Sequence, residues 1–503
     1  MTDRLQALVN VGSGNLLVRS TDLVLPGIEG SVALGADYNS LLIGSSKETG
    51  AFGHGWRSRS GIDVRLIANS DGTVTFTGAD GVVGTFTPIT GTSNYTSPGV
   101  FKATLVKTSS GWNLTDHGCG CVTAFKSSGK PSTITDRNGN VTTVNYNSSG
   151  QQTKITSDWG PAAIRVGTTG YGSNGFISSF TQTGTDATTH KVSYGYDSAG
   201  NLTSITDPDG NQYIFGYDSS HNLTSITTPT TPGGVAEQTM ITYDSSHRVT
   251  SLTRFIGPKS TDLATTRLSY VSSTETQVAD ANTDQSQPVA NVPHTTYTLD
   301  AQKRVTKVTD PAGNSRSTSY TPFNDVATFT NAVGGKFTNM YPSSVNGGES
   351  LTNVASPMGA SVSFAYANPP TASNPTANFQ PSSSSDAQGN PTAYTYNGAG
   401  NLASAKDALA AVASVGYNSD GTVSSATDPM NGTNSTTYGY NSDHQLPAHR
   451  EQPRDPALHL RRVRADRHRD RRRRARHHLR LRRRQPGHLG VLQRRHHGRH
   501  LHL

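Results

Sequence analysis

The stretch Tyr194-Gly-Tyr196-Asp197-Ser-Ala-Gly200-Asn201-Leu202-Thr-Ser-Ile205-Thr-Asp207-Pro208-Asp-Gly210-Asn211 holds two turns and two short apolar runs, and its phrase recurs along the chain. It returns at Tyr217-Asp218-Ser-Ser-His221-Asn222-Leu223 and at Tyr243-Asp244-Ser-Ser-His247-Arg248-Val249. Looser copies sit at Tyr146-Asn147, Leu299-Asp300, Tyr396-Asn397, Tyr417-Asn418 and Tyr440-Asn441. The motif tyrosines are spaced by 21 (196 to 217), 26 (217 to 243), 21 (396 to 417) and 23 (417 to 440) residues. A second turn phrase lies inside the unit, at residues 136–140, 207–211, 310–314 and 386–390. In both phrases the Asp carboxylate can accept from backbone N–H groups just downstream, Pro presets φ, and Gly takes φ > 0. His221 and His247 occupy the Gly slot and read as turn residues. Along 213–217 the residues alternate, so Tyr213, Phe215 and Tyr217 share one face, as do Val192, Tyr194 and Tyr196 one hairpin earlier. Leu202 and Ile205 break strict alternation, which fits either a bulge or burial on both faces.

A single hairpin cannot bury its own apolar face, whereas stacked hairpins can bury a ladder of Tyr rings between units. Tyr196, Asp197, Gly200, Asn201, Tyr217, Asp218, Tyr243, Asp244, Tyr396 and Tyr417 are therefore read as structural residues of the repeat. With 51 Gly and 25 Pro in 503 residues and only 16% charged, the composition suits short strands joined by many tight turns. The expected fold is all-β. A β-rich leader covers 1–130, repeat hairpins over 131–446 form part of an open shell, and a disordered Arg/His-rich tail follows over 447–503. Residues 365–390, with Asn-Pro-Pro, Asn-Pro and four consecutive Ser, read as a flexible insertion. Residues 261–293 read as an irregular connection.

Ahead of the repeats stand Val9-Asn-Val-Gly-Ser-Gly14-Asn15, Thr21-Asp22-Leu-Val-Leu25-Pro26-Gly27, Tyr38-Asn39-Ser40 and Phe52-Gly53-His54-Gly55-Trp56. Together with the serial Tyr-Asp phrases, these resemble the YD-repeat (Rhs) family, with His54 where a Pro is expected. The resemblance implies strands wound in a long spiral into a hollow shell. It implies a secreted or surface-displayed carrier that encloses a C-terminal toxin used between bacteria, with no catalytic site of its own. Shells of this family commonly end in Asp-Pro-x-Gly-Leu, where self-cleavage frees the toxin. Asp207-Pro208, Asp310-Pro311 and Asp428-Pro429 belong to repeat turns and are not followed by Gly-Leu. Cleavage site and toxin cargo are thus expected to be missing, and the repeats to be too few to close a cavity. A surface adhesin holding carbohydrate on exposed Tyr and Asn/Asp groups is the alternative reading, and a non-functional gene product is a third.

The formal charge of +8 misleads, because 19 Arg and only four acids lie in 446–503, leaving residues 1–445 at −7. The onset is abrupt, inside the repeat Tyr438-Gly-Tyr440-Asn441. Leu460-Arg461-Arg462-Val463-Arg464 admits codons that read Tyr-Asp-Ala-Ser-Gly one base on, and 477–492 admits a second shifted copy of the repeat. The tail is therefore read as a frameshifted continuation, which disfavours nucleic-acid binding by its arginines. Residues 1–10 lack the basic and apolar regions of a signal peptide, and no apolar run is long enough to span a membrane.

Phosphate-loop, His-Glu-x-x-His and Gly-x-Ser-x-Gly signatures are absent from the sequence, and no cofactor is expected. The one cluster with ligand-type atoms is His117-Gly-Cys119-Gly-Cys121, whose alternate positions would point one way on a strand. His117, Cys119 and Cys121 are weak metal candidates. Two half-buried thiols in a turn is the preferred reading, since a bridge between residues so close is constrained.

Overall fold

The computed structural model describes residues 4–25, 32–45, 48–99, 101–157, 166–184, 187–229, 236–255, 262–429, 435–441, 444 and 446. The expectations for the 447–503 tail lie outside the described residues. Among these residues the chain forms 41 strands, four short 3-10 turns and no α-helix, as an all-β chain should. Thirty-three strands, from Arg65–Ala68 to Ser435–Thr437, make one antiparallel ladder in which each strand pairs with its neighbours in sequence. The first strand pairs with Val74–Thr77 and the last with Val423–Thr427; among the described residues no ladder joins the two ends, so the strip is open. Pairing crosses position 130 without a break, from Val122–Lys126 to Pro131–Thr135.

Ahead of the strip lies a four-stranded sheet of Leu5–Val9, Leu16–Ser20, Ala36–Asn39 and Trp56–Ser58. Leader side chains share one core with the strip: Leu16, Leu25, Tyr38, Phe52 and Trp56 pack with Ile155, Phe180, Leu202, Phe215 and Leu223. Each such side chain taken fully from water contributes roughly 1.5–3 kcal/mol, so this packing is the main tie between leader and repeats. A second core, around Phe76, Phe86, Leu105 and Phe125, belongs to the first strands of the strip alone.

The alternation in the repeat is resolved as a bulge. Tyr194 pairs with Ile205 and Gly195 with Ser204, but Tyr196 pairs with Leu202, so Thr203 is the extra residue. The inserted residue turns Leu202 back to the side that Ile205 faces, and both are buried. The same slip recurs at Tyr146/Gln152, Tyr217/Leu223, Tyr243/Val249, Leu299/Val305, Tyr320/Val326, Tyr396/Leu402 and Tyr417/Val423. It is a feature of the unit and not a local defect.

Two sequence expectations need correcting. The irregular connection over 261–293 contains the ten-residue strand Leu263–Ser272 and the strand Glu275–Ala279, both in the ladder. Polar Thr, Ser and Gln residues sit there without cost because most of these positions are only half-buried. The flexible insertion over 365–390 contains the strand Ser383–Ser385, paired on both sides, and the 3-10 turn Ala377–Phe379. Neighbours on both edges supply the hydrogen bonds that hold this serine run extended, overriding its weak propensity. Asn374, Thr376 and Ala377 are buried.

Burial changes along the strip. Up to Leu299 nearly every strand holds at least one buried residue, whereas from Val305–Thr309 onward no strand residue is buried. The cross-strand pairs on the leader-facing side change in step. They are Tyr194–Ile205, Phe215–Ile226 and Ile241–Leu252 where the leader packs, and Thr318–Phe329, Tyr394–Ala405 and Val415–Ala426 later.

Candidate functional site

The motif tyrosines Tyr196, Tyr217, Tyr243, Tyr396 and Tyr417 each donate the hydroxyl to a backbone carbonyl of the preceding hairpin, whereas the buried Tyr146 hydroxyl finds no such acceptor. Tyr196 reaches Ile177 O at 2.6 Å, Tyr217 reaches Leu202 O at 2.6 Å and Tyr243 reaches Leu223 O at 2.8 Å. The Leu202 and Leu223 acceptors each stand just before the extra residue of their bulge, so the hydroxyl of one unit satisfies a carbonyl beside the bulge of the previous unit. Tyr396 and Tyr417 repeat the bond to Pro381 O and Leu402 O, both at 2.9 Å. Burial pushes the Tyr196, Tyr217 and Tyr243 hydroxyls far above their ordinary range, which keeps them neutral donors.

The turns follow the expected chemistry. Asp197 Oδ1 accepts from the N–H groups of Ala199 and Asn201, and Oδ2 from the Asn201 side chain at 2.8 Å. Burial opposes the charge on Asp197, but the Asn201 side chain and the N–H groups of Asn201, Ala199 and Gly200 outweigh it and hold the carboxyl below its usual range. Asp218 and Asp244 accept in the same way, from Asn222 and from Arg248. Gly200 has φ 87°, and His221 and His247 take φ 65° and 59° in its slot. These histidines also link turns, with His221 Nδ1 2.8 Å from Asn201 Oδ1 and His247 Nδ1 2.8 Å from Asn222 Oδ1.

Leader residues grip the same turns, and only the fold reveals it. Trp56 Nε1 donates to Tyr217 Oη at 2.8 Å, Tyr38 Oη accepts from Leu223 N at 2.9 Å, and Tyr194 donates to half-buried Asp22 at 2.7 Å. Glu48, His54 and His221 come within ligand distance of one another. They fit a clasp better than a metal centre. The two imidazoles stack face to face at 3.8 Å and 7°, so their in-plane lone pairs run parallel and do not converge. His54 Nδ1 already meets Glu48 at 2.5 Å and Nε2 meets Ala199 O at 3.1 Å. His221 in the Gly slot and His54 in place of the expected Pro were each visible in sequence, but nothing local linked them.

The metal candidates are engaged otherwise. Cys119 and Cys121 are joined by a disulfide. His117 Nδ1 lies 2.7 Å from Glu349 Oε2, Nε2 lies 2.8 Å from Thr104 Oγ1, and its ring stacks on Phe379 at 3.9 Å. The three side chains do not converge on one point.

His117 belongs to a seam. Turns alternate between the two margins of the strip, with the Tyr-Asp turns on one and the Asp-x-x-Gly turns on the other. Lys102 meets Asp325 at 2.8 Å, Arg137 donates to Gly400 O at 2.7 Å, Asn401 to Asn138 at 2.6 Å and Asn140 to Asp420 O at 2.9 Å. The partners are 223 to 280 residues apart and always join opposite margins. After about that length the strip returns alongside itself, overlapping as successive windings while its ends stay open.

The family described as "RHS Repeat" matches residues 181–212 and 196–236, and "Domain of unknown function (DUF6531)" matches 7–86. Among solved structures, TcdB2-TccC3 without its hypervariable C-terminal region is 12% identical, with TM-score 0.38, over 86% of this chain and 24% of that one. The Tc holotoxin pore of Photorhabdus luminescens is 13% identical, with TM-score 0.29, over 86% and 26%. The chain thus spans about a quarter of the length of these two solved chains. No curated protein matches. No helix of the described residues is long and apolar enough to cross a membrane.

Proposed function

We propose, from the premise that this chain is an RHS-repeat protein, that its β-shell wall serves in the intact protein to enclose a C-terminal toxin and keep it from the cell that makes it. The observation that carries this reading is the change in the wall's face. Where the leader packs, the facing pairs are large on both sides; beyond Val305 the equivalent pairs set one aromatic against a small residue, as in Thr318–Phe329 and Tyr394–Ala405, or are small on both sides, as in Val415–Ala426, and are only half-buried. A large dry aromatic surface left open would drive aggregation, whereas a smaller, more polar one can line a space that holds another chain. Export or surface display fits the same role.

The free margin supports a longer wall. Asn138, third in its turn, is pressed against Asn401 and Gly421 of the next winding. The same turn position on the second winding holds Val333, Met358 and Leu409, which are 91%, 95% and 90% exposed. Apolar tips so placed fit a seat for further repeats.

The test is protease protection. The chain would be produced with its downstream coding sequence in the repeat frame and a folded reporter at the C-terminus. Enclosure predicts a reporter that resists protease until the wall is unfolded with denaturant. A reporter digested as fast as the same domain alone would end the carrier reading and leave the wall without cargo.

A further inference from the structure

We propose that the Cys119–Cys121 disulfide is a redox latch on the seam between windings, opened by small thiols. The proposal concerns the seam and stands whether or not the wall encloses a toxin.

The loop between strands Gly111–Asp116 and Val122–Lys126 sits on the margin that meets the next winding. The bridge closes a ring over Cys119, Gly120 and Cys121, with Gly120 at φ 68°. Asp116 fixes the start of this loop, its Oδ1 accepting from Gly118 N at 2.8 Å and Cys119 N at 2.9 Å. Two carbonyls are thereby aimed at one guanidinium. Arg137 Nε donates to Cys119 O at 2.8 Å and Nη2 to Gly118 O at 3.1 Å. The third nitrogen, Nη1, crosses the seam to Gly400 O at 2.7 Å. Beside it, His117 of the same loop reaches Glu349 and stacks on Phe379, both on the second winding. The disulfide and Asp116 together hold the loop that aims both Arg137 and His117 across the seam.

Both cysteines are half-buried, within reach of a small thiol. A thiolate attacks one sulfur, the S–S bond breaks, and the other cysteine leaves as a thiolate and takes a proton. A second thiol resolves the mixed disulfide. In sum, two small thiols are oxidised to their disulfide and the protein bridge is reduced to two thiols. The loop is then held by its hydrogen bonds to Asp116, and the Gly118 and Cys119 carbonyls lose the covalent ring that helps fix their aim at Arg137. In a reducing compartment the windings can part at this seam; in an oxidising one they lock.

The experiment is hydrogen exchange on the full chain with and without dithiothreitol, alongside a C119S/C121S variant and Arg137→Ala. Exchange in 346–350, 374–380 and 397–401 should rise about tenfold on reduction, the scale of losing one or two charge-assisted hydrogen bonds, while 207–227 is unchanged. The double-serine variant should already exchange fast and ignore dithiothreitol. Arg137→Ala should be fast although its bridge is intact by mass. Seam exchange that dithiothreitol leaves unchanged would overturn the proposal. So would two free thiols in the aerated protein, or acceleration spread equally through 207–227.

Discussion

Replacing Tyr217 with Phe removes a single oxygen, yet that oxygen serves two neighbours in the shared core. It donates to Leu202 O at 2.6 Å and accepts from Trp56 Nε1 at 2.8 Å, and Leu202 and Trp56 are fully buried. Each buried polar group left without its partner costs roughly 1–3 kcal/mol, so Tyr217→Phe should destabilise the protein by about 2–5 kcal/mol. Tyr417→Phe is the matched control, because its hydroxyl makes the equivalent bond to Leu402 O in an exposed setting. Water can replace that bond, and the expected cost is below about 1 kcal/mol. Urea unfolding of the full chain, followed by far-ultraviolet circular dichroism, measures both. A double-mutant cycle with Trp56→Phe should return a coupling on the order of 1 kcal/mol between Trp56 and Tyr217. If the two Tyr→Phe variants lose the same stability, the hydroxyl ladder is generic turn chemistry and the leader clasp contributes nothing through it.

Burial pushes Asp22 up to about 6, against the pull of Tyr194, Ser20, Arg59 and Arg4. A folded value above the unfolded one means stability from this group is present at low pH and is lost as pH rises from about 4 through 6. Asp22→Asn should therefore raise the melting midpoint more at pH 7.5 than at pH 5, and equal gains at both would count against the buried-carboxyl account. Gly200→Ala should cost about 1–2 kcal/mol for a side chain at φ 87°, while His221→Gly should stay within about 1 kcal/mol as relieved backbone strain offsets the lost stack, both read from thermal unfolding. Changing Val333, Met358 and Leu409 together to Asn, the residue at the matching position 138, should leave the melting midpoint unchanged and reduce self-association in sedimentation velocity. Unaltered association would show that these tips are not an adhesive margin.

What the sequence disclosed depended on range. Turn chemistry is written within five residues, so Asp197, Gly200 and Asn201 could be assigned roles before any fold was known. The bulge could not be decided, because whether Leu202 faces with Ile205 depends on the strand opposite: the slip exists only between Tyr196 and Leu202 as partners. The serine run at 383–385 looked unstructured for the same reason. Its extended shape is imposed by Phe364 on one side and Thr392 on the other, and neither carries a mark that points to it. The seam was illegible altogether. Arg137 is an ordinary second residue of a turn until Gly400, 263 residues away, arrives beside it.

The wall's face shows where legibility stops short of meaning. The motif tyrosine, the bulge and the turn persist from Tyr196 to Tyr417, so they specify a wall and nothing about what stands against it. The pair two residues before the tyrosine varies instead, from Phe215–Ile226 to Val415–Ala426. That drift is plain in the sequence, but it could equally be decay of a weakening repeat. The leader bears on which, because the pairs that are large on both sides lie where Phe52 and Trp56 pack, and the later pairs, from Thr318–Phe329 to Val415–Ala426, lie outside that core and are half-buried. A decaying repeat would lose its tyrosine bond along with its facing pair. Tyr396 and Tyr417 keep theirs at 2.9 Å, so the construction of the wall is maintained while its surface changes.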